Sequence, residues 1–222
     1  MYDCDSMLSV KWKSELYVAA SGIKGEWFIV RWMIYIVLGY AALFAGVWLH
    51  EIGHSLLDFK FGCKDNWIHV QVKPYIFFST PGPVDIDKYQ ALTPLKRTLA
   101  AYGGIIANLF WSIISGGLIV AVKPENIYLM FFLWMFMTLN LSEIVSYLLI
   151  GNIYLVSDMA VVANEYPKLR IPNFILGLVL TVVYILILVK VPSIFQWMVI
   201  VWNIITIASM CGGRIVFSLS HR

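Results

Sequence analysis

Residues 33–54 read MIYIVLGYAALFAGVWLHEIGH, and the fold turns on how that stretch is understood. Its first 17 residues, 33–49, carry no charge; His50, Glu51 and His54 then follow within little more than one helical turn. A bilayer core about 30 Å thick takes roughly 20 residues of helix, so the run spans once its polar end is included. On a helix, residues four apart share a face at about 6 Å, which brings both imidazoles to one ion and leaves Glu51 on the adjacent side. Zinc suits that spacing: it accepts two imidazoles and a carboxylate, keeps a fourth position for water and lowers that water's pKa to about 7. Three ionisable groups near bilayer depth are costly without a task, so a chance cluster facing headgroups is the weaker account.

The rest of the chain repeats the pattern. Of 222 residues, 60% are hydrophobic and 13% charged, and the mean hydropathy is +0.79. The apolar residues fall in long blocks, at 33–54, 99–122, 127–150, 171–189 and 191–213, instead of the short alternations of a water-exposed fold. The expected fold is therefore an all-α polytopic membrane protein of about five transmembrane helices. It forms a single membrane-embedded domain over 1–222, with a polar N-terminal segment at 1–31 and a polar loop at 57–98. No apolar core of signal length occurs in residues 1–31, so the first helix is expected to stay in the mature protein.

Charge and cysteine usage exclude other classes. A net charge of +3, spread among loops, gives no nucleic-acid footprint. Cys4, Cys63 and Cys211 are scattered and odd in number, which supports neither a disulfide framework nor a thiolate zinc site. With five spans, ten Lys and Arg residues fall in 57–98, 151–170 and the C-terminus, against six on the opposite side. That bias predicts an external N-terminus, with His50 and His54 near the cytoplasmic side, in a cell membrane.

The polar loop is more than a linker. Residues 67–78 begin by alternating apolar and polar side chains, the period of a strand, before Ser-Thr-Pro-Gly-Pro-Val at 79–84 turns the chain. A short strand or hairpin-like loop there could bind an extended substrate by edge pairing; an interfacial loop with aromatics among the headgroups fits equally. His69 reads as a loop histidine. A third metal ligand must come from farther along, and geometry narrows it to Asp158 and Glu143. Glu143 lies about 24 Å along its span and His50 about 26 Å along its own, so depth does not reject Glu143. Asp158 follows Gly151 and Asn152, where a helix could unwind and fold back toward the metal.

Taken in order, these residues resemble the intramembrane zinc metalloproteases of the site-2-protease type, especially their compact prokaryotic branch. His50-Glu51-Ile52-Gly53-His54 matches the family's H-E-x-G-H, and Tyr102-Gly103-Gly104-Ile105-Ile106-Ala107-Asn108 approximates its G-P-x-x-N-like helix with glycine in place of proline. Tyr154-Leu155-Val156-Ser157-Asp158-Met159 looks like its aspartate motif, with the prolines absent and Met159 where the family has glycine. The resemblance implies one Zn2+ per chain held by His50, His54 and Asp158, with Glu51 as the general base. It also implies an asparagine that orients the substrate, Asn152 or Asn140. The implied activity is hydrolysis of a transmembrane protein substrate within the lipid bilayer, recognised by the helices, by the loop at 66–87 or through a separate regulatory or adaptor protein. Gly103, Gly104, Gly116 and Gly117 read as packing residues that let helices approach closely in lipid, and Asn108, Asn140 and Asn203 as interhelical hydrogen-bonding groups. Two other readings compete: a catalytically silent adaptor that binds membrane helices, and a small metal-ion transporter using the same His and Glu residues.

Overall fold

The computed structural model describes residues 25–74 and 79–220. Its helices are α1 (Gly25–Lys60), α2 (Ile86–Gln90), α3 (Pro94–Val122) and α4 (Ile127–Ser146), followed by a π-helical turn at Tyr147–Gly151. Then come α5 (Asn152–Tyr154), α6 (Asp158–Glu165), a 3-10 turn at Pro167–Leu169, α7 (Arg170–Lys190) and α8 (Gln196–Ser220). By its internal contacts the chain divides between Leu38 and Gly39. Among the described residues the first unit holds only the opening turns of α1; the second unit holds everything that follows here.

Among the described residues five helices are long and apolar enough to cross a membrane: Val30–Lys60, Pro94–Val122, Ile127–Tyr154, Pro167–Lys190 and Gln196–Val216. The expected all-α polytopic architecture is what the chain forms. The second span starts at Pro94, ahead of its apolar block, and polar caps mark the starts of the second and third spans. Thr93 accepts from the Lys96 amide ahead of Pro94 at the first helical position, and Asn126 accepts from the amides of Tyr128 and Leu129. The third span is 78% buried over its most apolar window, against 17–22% for the second, fourth and fifth, so α4 is the central helix and the others present apolar side chains outward. It packs against α3, α7 and α8. Asn203 ties three of these together: its amide donates to Thr138 Oγ1 at 3.0 Å and its carbonyl accepts from the Tyr184 hydroxyl at 3.0 Å. Such bonds take the place of apolar burial, which gives helices no drive to associate in lipid.

The loop between α1 and α2 departs from a full strand. Gln71 and Thr80 exchange both backbone hydrogen bonds at 3.0 Å, an isolated antiparallel bridge, and no longer ladder forms among the described residues. Pro81 and Pro83 have no N–H to extend it. The Lys64 ammonium, buried beside the bridge, donates to the carbonyls of His69 and Pro81 and so pins both sides of the loop. The later part of the predicted alternation, residues 75–78, lies outside the described residues.

Candidate metal centre

His50, Glu51 and His54 are carried on α1 and are 1%, 7% and 6% exposed, so this polar turn faces inward in spite of its depth. Glycines make that possible. A Cβ on Gly53 would lie 2.3 Å from the Gly103 carbonyl oxygen, and one on Gly104 would lie 2.4 Å from His50 Nε2 and 2.5 Å from His54 Nε2. α3 therefore lies directly against the imidazoles, a contact no side chain could survive. His54 Nδ1 is 2.7 Å from the Ala100 carbonyl oxygen. A carbonyl can only accept, so Nδ1 carries a proton and Nε2 is the nitrogen turned toward the site.

The third group reaches the site through a break in the chain. After α4, the π-helical turn at Tyr147–Gly151 and the short α5 end at Leu155, whose φ is +54°; Ser157, also at φ +54°, then starts α6. Two left-handed residues that are not glycine mark a turn held by its surroundings. The fold-back expected after Gly151 and Asn152 is present, and Asp158 stands at the first position of α6. Its Oδ2 lies 3.3 Å from His54 Nε2 and 3.6 Å from His50 Nε2, and the two Nε2 atoms are 3.1 Å apart.

Those separations test the site's chemistry. Ligands at 2.0–2.1 Å on a tetrahedral ion stand about 3.3–3.4 Å apart, and the three observed distances bracket that value. Asp158 Oδ2 is also buried without a hydrogen-bond partner, as expected for a donor atom meant for an ion. Burial alone would raise the Asp158 carboxyl, but His54 and His50 outweigh it and hold the group well below the ordinary carboxylate range. His50, His54 and Asp158 can hold a metal ion.

A cavity of about 330 Å³ opens on this cluster, with Glu51, Thr80, Tyr89 and Tyr147 among its walls. Thr80 belongs to the bridged loop, so the loop forms part of the cavity rim. Burial, followed by the nearby Asp58 and Asp158, pushes the Tyr89 phenol up to about 12, which keeps it a neutral hydrogen-bond donor. Tyr147 stacks on His50 with centroids 5.0 Å apart and rings 10° from parallel, while the Arg214 guanidinium lies 3.9 Å from the Tyr147 ring centre. The site residues missed from sequence are Tyr147, Tyr89 and Asp58. Asp58 had a signal, standing one turn beyond His54.

Glu143 is not a member of the ligand cluster. It lies behind His50, where Asn108 Nδ2 is 3.0 Å from Glu143 Oε2 and 3.1 Å from His50 Nδ1. Of the two asparagines expected to orient a substrate, Asn140 donates to the Phe136 carbonyl on its own helix, and Asn152 donates to the Arg170 carbonyl; neither lines the cavity. Cys63 and His69 line a separate cavity of about 350 Å³. Burial, with Asp58 and Asp85, pushes the Cys63 thiol up and makes it a poor ligand. Arg97 fastens α6 from its far end: Nε and Nη2 stand 2.8 and 3.1 Å from the Glu165 carboxylate oxygens, and Nη1 donates to the Gln90 carbonyl at 2.7 Å. No protein-family model, curated protein or solved structure matches the chain.

Proposed function

We propose that this chain is an intramembrane zinc endopeptidase of the site-2-protease type, cleaving membrane-spanning or membrane-adjacent segments of other proteins. The observation that carries the reading is the convergence of His50 Nε2, His54 Nε2 and Asp158 Oδ2 within 3.1–3.6 Å, in one cavity with a carboxylate, Glu51, that is not among them. A helix-binding adaptor has no use for a general base and no need of the cluster at all.

When bound, zinc supplies a Lewis acid that polarises the scissile carbonyl and acidifies the attacking water. Glu51 accepts a proton from that water as its oxygen bonds to the carbonyl carbon, then delivers the proton to the amine nitrogen as the C–N bond breaks. Tyr89 and Thr80 offer neutral donors at the rim for substrate carbonyls. A helical substrate hides its carbonyls in intrahelical bonds, so segments that unwind readily, with Gly, Pro or polar residues, are the expected substrates. On the Lys and Arg bias the chemistry takes place near the cytoplasmic face.

The test is zinc per purified chain together with cleavage of a panel of tagged single-span proteins, in wild type and Glu51→Gln. The expected result is one zinc in both and a fall in hydrolysis of at least about a hundredfold in the variant. Undiminished cleavage by Glu51→Gln defeats the mechanism. A wild type with neither zinc nor hydrolysis points to the adaptor, and ion flux into vesicles to the transporter.

A further inference from the structure

A carboxylate deep in a membrane span calls for a partner, and Glu143, 8% exposed on the central helix, faces the back of a histidine. Its Oε1 stands 4.0 Å from His50 Nδ1, and Asn108, fully buried on α3, bridges the two. We infer that Glu143 is the positioning residue for His50, accepting the Nδ1 proton and thereby presenting the Nε2 lone pair to the metal. The inference rests on the metal site proposed above and adds to it the group that selects the tautomer.

Donor and acceptor roles lead there. Asn108 Nδ2 is a donor; turned the other way, the amide would set its oxygen against the Glu143 carboxylate at 3.0 Å. Nδ2 also stands 3.1 Å from His50 Nδ1; a hydrogen bond there requires a bare Nδ1 and so puts the proton of a neutral imidazole on Nε2, the atom facing His54 and Asp158. That tautomer has no lone pair to offer an ion at Nε2. Ligation through Nε2 requires the proton on Nδ1, and Asn108 Nδ2 cannot accept it. The acceptor in place is Glu143 Oε1, which needs to approach by about 1 Å to reach an ordinary N–H···O distance. Asn108 then serves Glu143 alone and orients it.

The two histidines are thereby held by different devices. His54 gives its Nδ1 proton to a backbone carbonyl of α3 that no side-chain change removes, whereas His50 depends on a side chain. Removing an outer partner of this kind typically costs 10–100-fold in metal affinity.

The test uses the full chain in detergent, with zinc as the probe: affinity by chelator competition for wild type, Glu143→Gln and Glu143→Leu, and two-bond 1H–15N spectra of the histidine rings in the zinc-loaded wild type. The spectra should show His50 protonated at Nδ1. Zinc affinity should fall 10–100-fold in Glu143→Leu, with Glu143→Gln at or between the two, since its carbonyl accepts the proton without the charge. Affinity within twofold of wild type in Glu143→Leu overturns the inference, as does a zinc-loaded wild type with His50 protonated at Nε2; the latter measurement needs no variant to fold. A wild type that takes up no zinc sinks this inference and the metal site together, while zinc bound without proteolysis leaves Glu143 in its role and fails only the peptidase reading.

Discussion

Gly104→Ala adds one methyl group, and it adds it at the ligands. The new Cβ would stand 2.4 Å from His50 Nε2 and Cε1 and 2.5 Å from His54 Nε2, about 1 Å short of the 3.4 Å at which ordinary contact begins. Neither imidazole has room to retreat. His50 is backed by the stacked Tyr147 ring and faced at Nδ1 by Asn108 and Glu143, and His54 is tied to the Ala100 carbonyl. α3 cannot swing away locally either, because Gly53 and Gly103 touch one residue earlier. The helices must therefore part or the rings must turn by about 1 Å, several times the tolerance of about 0.2 Å for a metal–ligand distance. Zinc affinity should fall at least about a hundredfold, or about 2.8 kcal/mol at 1.4 kcal/mol per tenfold, with a further cost of ~1–3 kcal/mol in stability from overpacking. Gly117→Ala is the control: nothing lies within 4 Å of its new Cβ, so zinc binding should be unchanged. Zinc competition in detergent and thermal unfolding of both variants make the comparison. Wild-type zinc affinity in Gly104→Ala would mean that α3 does not press on the imidazoles, and the site's geometry would have to be redrawn.

Asp158→Asn should weaken zinc binding by at least about a hundredfold, a larger loss than any Glu143 variant, because a neutral amide replaces the anionic donor; equal affinity for the two proteins by chelator competition would remove Asp158 from the ligand set. Zinc should be released as the pH falls. The sign follows because protons compete for the histidine nitrogens while the Asp158 carboxyl, held below its ordinary range, stays ionised; zinc retained undiminished at pH 4.5 would argue against histidine ligation. Arg97→Ala should loosen α6 and lower zinc affinity severalfold without touching a ligand, since the Glu165 end of that helix loses its bidentate partner; unchanged affinity and unchanged hydrogen exchange over α6 would show the clamp to be dispensable.

The parts legible in the sequence are those set by a local rule. Span number follows from bilayer thickness and apolar block length, and His50, Glu51 and His54 are fixed relative to one another by a single helix. Asp158 and Glu143 could not be separated that way, because depth along a span is one coordinate, while the choice between them depends on the rotation of α4 and on the chain reversal at Leu155 and Ser157. Gly104 read as a packing residue, which it is, but only the packed structure reveals that what it packs against is the pair of imidazoles. The substrate-orienting asparagine, Asn152 or Asn140, is implied by the resemblance alone; each of the two spends its amide on a backbone carbonyl away from the cavity. Tyr147 gives no local signal, because an aromatic near the end of a span ordinarily marks the headgroup level; the π-helical turn that begins there brings its ring onto His50 instead.

The reversal between Tyr154 and Asp158 gives any bound ion a second occupation. Two ligands belong to a long helix that the bilayer keeps in place, and the third sits on a short helix beyond two backbone residues at positive φ. An ion joining them acts as a rivet between a fixed beam and a sprung bracket. Small zinc domains collapse when stripped of metal because nothing else orders them. Here the spans have interhelical hydrogen bonds of their own, such as those of Asn203, and what an ion would secure is the seating of one bracket, the stretch from Leu155 to Glu165, against the polar turn of α1.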